Sequence, residues 1–184
     1  MIYVTGDTHG DRDRFRTREV RRLRRGDTLV VLGDFGFVWD GSRAEKKTLH
    51  WLSRRRYQLL FVDGSHENHS LLAQYPQEDF CGGTARRLGK NLWCLQRGGL
   101  YTVEGRTLLV LGGGESLDKE SREEGVTWWP AELPSEEEYR EGIKNLSKAG
   151  HSVDFILTHC LPTSLQLLAG EGRYQPDPLT EYLE

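Results

Sequence analysis

The chain opens with the stretch Tyr3-Val4-Thr5-Gly6-Asp7-Thr8-His9-Gly10, a short apolar run that leads directly into Gly-Asp-x-His-Gly. The run, which begins at Ile2, predicts a buried β-strand, and the glycines allow a sharp turn and a close approach to a ligand. Asp7 and His9 then lie at the end of that strand, where a carboxylate oxygen and an imidazole nitrogen form half of a site for a divalent transition metal. Because a single Asp-x-His pair is common by chance, the interpretation depends on whether the pattern recurs.

The pattern recurs at the ends of further predicted strands. Residues 28–32 lead into Gly33-Asp34, residues 58–62 into Asp63-Gly64-Ser65-His66, residues 107–111 into three glycines at 112–114, and residues 153–157 into Thr158-His159. Helices predicted over residues 11–25 and after an N-cap at Ser42 give the strand and helix alternation of an α/β fold. In such sheets ligands bind at the carboxyl ends of the strands, so these side chains are expected to form one site.

Each of these residues also has a purely structural explanation. Asp34 could cap a turn or a helix, His159 could be a buried histidine with a backbone partner, and the three glycines could form a loose loop rather than relieve crowding. Recurrence at equivalent positions of successive strands favours a metal site. The mixed oxygen and nitrogen donors, without paired cysteines, indicate manganese, iron or zinc. Two carboxylates and several histidines suit two metals about 3.5 to 4 Å apart, bridged by one carboxylate, for in-line displacement at phosphorus.

The composition is that of one soluble globular domain. The 184 residues are 29% charged and 36% hydrophobic, and they contain no apolar run of the roughly 20 residues that a membrane span needs. The chain enters a strand at once, without a signal-type segment, so a cytoplasmic location and no membrane partner are expected. Cys81, Cys94 and Cys160 are unevenly spaced and are interpreted as reduced thiols.

The formal net charge of −3 conceals a segment with eight arginines between residues 12 and 25. These arginines are interpreted as a solvated helix face, with the steering of an anionic substrate as the alternative. Because the overall charge is slightly negative, the balance does not argue for a nucleic-acid-binding module, and nucleic acid is expected only as a possible substrate. The sequence leaves the oligomeric state open.

The order and rough spacing of the motifs resemble those of the calcineurin-like metallophosphoesterases. The resemblance rests on Gly6-Asp7-Thr8-His9-Gly10, Gly33-Asp34, Gly64-Ser65-His66-Glu67 and Thr158-His159, and it covers the chain from Met1 to about Pro162. It implies an α/β fold in which a two-sheet β-sandwich is flanked by helices (αββα), as a single domain over residues 1–184.

The resemblance also implies roles for individual residues. Asp7 and His9 would bind the first metal, Asp34 would bridge both metals, and His159 would bind the second. His66 would lie near the substrate and stabilise the transition state or protonate the leaving oxygen. A metal-bridging hydroxide would attack phosphorus, which makes the chain a hydrolase of phosphate mono- or diesters with two divalent metal ions, manganese being preferred over iron or zinc.

The sequence departs from the family pattern in two places. Ser65 stands where the family usually has asparagine before the motif histidine, and Asn68 or a water is expected to compensate. No Gly-His-x-His motif follows His159, and Asp177-Pro178 indicates the start of a further helix. The interpretation is therefore of a domain that lacks its C-terminal Gly-His-x-His segment. These departures leave open a catalytically weak or inert domain that binds phosphate or nucleotides or acts as a scaffold.

Substrate features are fewer. Arg122, in the loop after the three glycines, is the candidate for contact with a phosphate group.

Overall fold

A computed structural model describes residues 1–169 and 177–184, and within them nine strands form two sheets. Their bounds are β1 (Ile2–Thr5), β2 (Thr28–Leu32), β3 (Gln58–Val62), β4 (Gln77–Phe80), β5 (Gly83–Arg87), β6 (Leu92–Leu95), β7 (Leu100–Val103), β8 (Arg106–Leu111) and β9 (Phe155–Thr158). The first sheet has the order β1-β2-β3-β6-β5-β4, and the second has the order β7-β8-β9.

Strands β1, β2, β3 and β6 run parallel, and β5 and β4 extend that sheet antiparallel. In the second sheet β7 and β8 are antiparallel, and β9 returns parallel to β8. The predicted strands at residues 28–32, 58–62 and 107–111 are confirmed to within one residue, whereas β4 and β5 escaped prediction because their sequences are polar and lack alternation.

Six α-helices are described: α1 (Arg18–Arg22), α2 (Arg43–Leu52), α3 (His69–Leu72), α4 (Glu136–Lys148), α5 (Thr163–Ala169) and α6 (Pro178–Tyr182). Short 3-10 helices cover Arg12–Arg16, Lys119–Ser121 and Pro130–Glu132. Ser42 caps α2, as predicted, and Ser135 forms a capping box with Glu138 at α4.

The prediction of one continuous helix over residues 11–25 is wrong. The chain is extended at Thr17, whose side chain accepts a hydrogen bond from the Val20 N–H and so begins α1. Leu23 is extended again and ends it. The apolar stripe of this segment was thin, and a local threonine cap competes with helix continuation through that point.

Two apolar clusters cover the two faces of the six-stranded sheet. On one face, Leu29, Val31 and Phe61 of β2 and β3 pack with Leu49 and Leu52 of α2. Phe15 and Leu23 belong to the same cluster. On the other face, Val30 and Leu60 are among the residues that pack against the second sheet. Helix α4 contacts β7 and β8. This layering is the helix, sheet, sheet, helix arrangement of the predicted sandwich.

Strand β1 is not buried as the sequence predicted. It lies at the edge of its sheet, next to β2, with Tyr3 39% and Val4 58% exposed. Strand β9 occupies the matching edge of the second sheet, with Phe155 51% and Ile156 58% exposed. An apolar run alone does not distinguish an edge strand from a central one, because periodicity reports composition rather than position in the sheet.

A buried ion pair connects β3 to the loop after β6. The Nε and one Nη of Arg97 donate to Oδ2 of Asp63 at 2.9 and 2.6 Å, and both side chains are less than a tenth exposed. Burial alone would raise the pKa of Asp63, but the Arg97 guanidinium holds it below its usual value. Arg97 also donates to the carbonyls of Ala131 and Glu132, so one guanidinium fixes the 3-10 helix at Pro130–Glu132.

Removal of the buried cation should destabilise the fold strongly. We expect Arg97→Met to lower the free energy of unfolding by about 3 to 5 kcal/mol, because Asp63 is left as an uncompensated buried charge. The measurement is equilibrium unfolding in urea.

The matched control is Arg106→Met, which removes the same group from an exposed pair with Asp154. It should cost less than about 1 kcal/mol. Equal losses in the two variants would contradict a structural role for the buried pair.

Candidate metal centre

The parallel register of β1, β2 and β3 places the ends of these strands side by side. Val4 pairs with Val30 and Val31 pairs with Phe61, so the loops that follow all leave the sheet at the carboxyl ends of the strands. The loops carry Asp7 and His9, Asp34, and Ser65 and His66, and the end of β9 adds His159. At these strand ends the structure brings together Asp7, His9, Asp34, His66 and His159.

Asp34 lies at the centre of the group. Its Oδ1 is 3.5 Å from Nε2 of His159, while its Oδ2 is 3.8 Å from Nε2 of His9 and 2.9 Å from Nδ1 of His66. The side chain is 4% exposed, and Oδ1 also accepts a hydrogen bond of 2.8 Å from the His66 N–H. One carboxylate therefore presents one oxygen to each side of the cluster.

Asp7 lies at the outer side of the group. Its Oδ2 is 3.6 Å from Nε2 of His9, and its Oδ1 is 3.7 Å from Nδ1 of His159. The side chain is nearly half exposed, so the cluster opens to solvent at Asp7 and is closed at Asp34.

The tautomer of His159 follows from its backbone contact. Nδ1 lies 3.0 Å from the carbonyl oxygen of Leu32, which can only accept a hydrogen bond. Nδ1 therefore carries the proton, and Nε2 presents its lone pair toward Asp34. A ring fixed by an Nδ1–H to a backbone carbonyl is a common arrangement for a histidine that binds a metal through Nε2.

His66 has a polar partner on each ring nitrogen. Its Nε2 contacts a guanidinium nitrogen of Arg122, which can only donate, so Nδ1 holds the proton. Nδ1 lies 2.9 Å from Oδ2 of Asp34 and 3.0 Å from Oγ of Ser65. Asp118 holds Arg122 in turn, at 2.8 and 2.9 Å, and the contact lowers the pKa of the Asp118 carboxyl.

Backbone conformation in the first two loops is unusual. His9 and Asp34 have φ values of 44° and 43°, a left-handed region that side chains of L-residues seldom occupy. The conformation is held by hydrogen bonds, because the N–H groups of Thr8 and His9 both donate to the Asp34 carbonyl at 3.0 and 2.9 Å. Strained backbone of this kind is typical of functional sites.

Glu67 holds the loop after Asp34 from below. It is fully buried, and Oε1 accepts from the Phe35 N–H at 2.6 Å and from the Gly36 N–H at 3.3 Å. Burial raises the pKa of Glu67 well above its usual range. Sequence reasoning assigned Glu67 no role of its own, although a glutamate between a motif histidine and an apolar helix is a signal that could have identified it.

Glycines at the strand ends let the loops approach one another. A side chain on Gly33 would overlap the His159 ring, and one on Gly64 would overlap Asp34. In the run of three glycines, Gly112 faces Asp63 and Gly114 faces Cys160 and His159 at similarly short range. Gly33, Gly64 and Gly114 therefore relieve crowding around the site, whereas Gly112 does so beside the buried Asp63.

Asn68 and His69 are directed to other partners. The Asn68 side chain accepts from the Leu71 N–H and donates to the Trp39 carbonyl, so both of its polar atoms are used by backbone groups. His69 is buried, with Nδ1 3.7 Å from Asp63, and burial lowers its pKa. Asn68 as placed is a helix cap rather than a compensating ligand beside Ser65.

The donor chemistry of the site fits divalent metal. Ligand atoms of His9, Asp34 and His66 lie within 4.8 Å of one another, and Asp7 and His159 border the same group. The carboxylates of Asp7 and Asp34 and the imidazoles of His9 and His159, with the lone pair of His159 presented toward the centre, form the mixed oxygen and nitrogen set that manganese, iron and zinc prefer.

We expect Gly33→Ala to weaken metal binding by at least about tenfold, because the added methyl displaces the His159 ring from its backbone partner. It should also cost about 2 to 5 kcal/mol of stability, from the positive φ and the overlap together. Calorimetric titration with Mn²⁺ and thermal unfolding measure the two effects.

Gly26→Ala is the matched control, since Gly26 shares the φ of +92° but an added methyl would meet no atom within 4 Å. It should cost only the conformational strain of about 1 to 2 kcal/mol and leave metal binding unchanged. Loss of metal affinity in both variants would mean that backbone strain, not the His159 contact, is responsible.

Comparison with known proteins agrees with this geometry. No curated protein and no solved structure matches the chain. Among the described residues, no helix is both long and apolar enough to cross a bilayer. The model of the family described as calcineurin-like phosphoesterase matches residues 1–183, which extends beyond the motifs into α6. The chain therefore belongs to the calcineurin-like phosphoesterases, and is a metallophosphoesterase.

Proposed function

We propose that the chain hydrolyses phosphate mono- or diesters with two divalent metal ions, and that Asp34 would hold both of them. The position of Asp34 carries this proposal. Its two carboxylate oxygens are directed to different histidines, His159 on one side and His9 on the other, with Asp7 between them at the solvent side. Manganese is the preferred metal for this donor set, with iron or zinc as alternatives.

The residues divide between the two metal positions. Asp7 and His9 would hold one ion, His159 the other, and Asp34 both. When bound, two such ions supply Lewis acidity and lower the pKa of bound water, which provides a hydroxide nucleophile near neutral pH. The strained loops and the glycine contacts described above keep the side chains at fixed positions before any ligand arrives, so little reorganisation is needed.

His66 and Arg122 would contact the phosphate group. The Arg122 guanidinium is only 14% exposed and is already oriented by Asp118 beside Nε2 of His66. A phosphate oxygen that enters between them can accept from the guanidinium, and the His66 ring, aligned by Asp34, can donate a proton to the leaving oxygen once it is doubly protonated. Arg122 would thus bind charge and His66 would assist departure.

Ser65 supports a second candidate function, a phosphate-binding domain with weak or no turnover. Its Oγ lies against Nδ1 of His66, and a hydroxyl is a poorer metal ligand than the asparagine amide usual at this position. Calorimetry with phosphate and Mn²⁺, beside an assay of turnover, separates the two functions. A binding domain retains its affinity for phosphate but does not hydrolyse the ester. That the domain lacks its C-terminal Gly-His-x-His segment stays a prediction.

We expect hydrolysis of chromogenic phosphate mono- and diesters by the chain with Mn²⁺, abolished by a chelator. Asp34→Asn should lower kcat by at least about a hundredfold, because partners one step removed from a metal already contribute about 10- to 100-fold. Steady-state kinetics at fixed Mn²⁺ measures the loss.

The control is Asp79→Asn, the same chemical change at an exposed position of β4 in the same sheet, which should leave kcat unchanged. Undiminished turnover by Asp34→Asn would refute the bridging role.

Arg122→Ala should lower kcat/KM by about 10- to 100-fold, the value of a lost charge-assisted hydrogen bond to phosphate, mainly through a higher KM. Arg122→Lys should recover part of the loss. Lys119→Ala, which removes a neighbouring exposed cation paired with Glu115, is the control and should have no effect. An unchanged KM in Arg122→Ala would remove Arg122 from the substrate site.

A further inference from the structure

The positive charge of the chain is concentrated on one surface. Between residues 11 and 56 there are fourteen arginines and lysines against seven aspartates and glutamates, a net charge of +7 in a chain whose total is −3. The two helical parts of this segment pack on the same apolar cluster, so they cover the same face of the six-stranded sheet. The slightly acidic whole chain therefore has a strongly basic face.

Most of these cations have no acidic partner. Among the described residues, Arg16, with Asp13, is the one arginine of this segment in an ion pair. Arg12, Arg16 and Arg55 surround the ring of Trp51, with guanidinium carbons 4.9, 5.6 and 4.0 Å from its centroid. Guanidinium groups at this density without acidic partners give the surface a positive potential that attracts anions.

Three cavities with a shared wall residue lie near the amino ends of the strands. The cavities, of about 650, 630 and 400 Å³, all have Arg54 in their walls. The largest is also lined by Arg25, Arg56 and Lys90. The acidic groups of its wall, Asp27 and Glu104, are already engaged by the amino group of Met1. Three neighbouring cavities with a shared cationic wall suit an extended ligand better than a single compact anion.

This surface is separate from the metal centre. Arg25, Arg54 and Lys90 precede the amino ends of β2, β3 and β6, whereas Asp34 and His66 follow the carboxyl ends of β2 and β3. A five-residue strand is about 17 Å long, so the two regions lie at opposite ends of the strands.

We propose that this basic surface, defined by Arg25, Arg54, Arg55, Arg56 and Lys90 with the neighbouring arginines of residues 12–24, binds the phosphodiester backbone of a nucleic acid. Arginine forms bidentate contacts with phosphate, and arginines outnumber lysines on this surface. An anionic membrane is less suited, because the large exposed apolar side chains near this surface are those of Met1, Tyr3 and Val4 and do not form the apolar face of an amphipathic helix. The proposal does not depend on the proposed hydrolytic function.

The test is fluorescence anisotropy with labelled single-stranded DNA, single-stranded RNA and duplex DNA, with chelator present so that hydrolysis cannot interfere. We expect affinity to fall steeply between about 50 and 200 mM NaCl. Arg25→Gln/Arg54→Gln should weaken single-strand binding by about tenfold at the lowest salt. The double variant should also reduce the slope of log K against log[NaCl] by about 1.4, for two lost phosphate contacts. The three probes show which form of nucleic acid binds best.

Arg140→Gln/Lys148→Gln removes two cations from α4 and is the matched control, which should change neither affinity nor slope. Thermal unfolding of both double variants checks that they remain folded. Equal weakening in the two double variants would overturn the proposal, as would binding to phosphatidylserine vesicles without binding to the oligonucleotides.

Cys81 provides an independent readout of location. It is an exposed free thiol in the wall of the largest cavity, whereas Cys94 is buried. Bound oligonucleotide should slow alkylation of Cys81 by iodoacetamide at least several-fold, as followed by peptide mass spectrometry. Binding without protection of Cys81 would place the nucleic acid elsewhere and overturn the assignment.

Discussion

The hydrogen bonds of the loop from Asp34 to Gly36 hold the site together. The Asp34 carbonyl accepts from the N–H groups of Thr8 and His9, its carboxylate accepts from the His66 N–H, and buried Glu67 binds the next two N–H groups. Loops that follow three different strands are thus bonded to one short segment. Because Asp34 and Glu67 are themselves buried, displacement of this segment would disturb every histidine of the cluster at once.

A second buried network supports the other wall of the site. Asp63 and Arg97 form an ion pair, and Arg97 binds the carbonyl of Glu132. The Glu132 carboxylate in turn accepts from the N–H and hydroxyl of Ser116 at 2.9 and 2.6 Å. Ser116 begins the loop that carries Arg122. The position of the proposed phosphate contact therefore depends on charged groups that never reach the substrate.

The sequence was most informative where chemistry recurs at strand ends. Asp7, His9, Asp34, His66 and His159 could be predicted to converge because parallel strands bring equivalent loops to one edge, a property of topology rather than of side-chain detail. Glu67 and Asp118 were missed because their roles depend on burial and on which group faces them across the fold. The edge position of β1 and the break at Thr17 were missed for a related reason, since local patterns do not report on neighbours that are distant in sequence.

The open edge of β9 has a practical consequence for handling the protein. Its N–H and C=O groups on that side are not paired with another strand within the described residues, and exposed Phe155 and Ile156 make the edge apolar. Strand edges of this kind are templates for intermolecular pairing, and β9 has no proline or lysine to prevent it. We therefore expect self-association through this strand to increase with protein concentration.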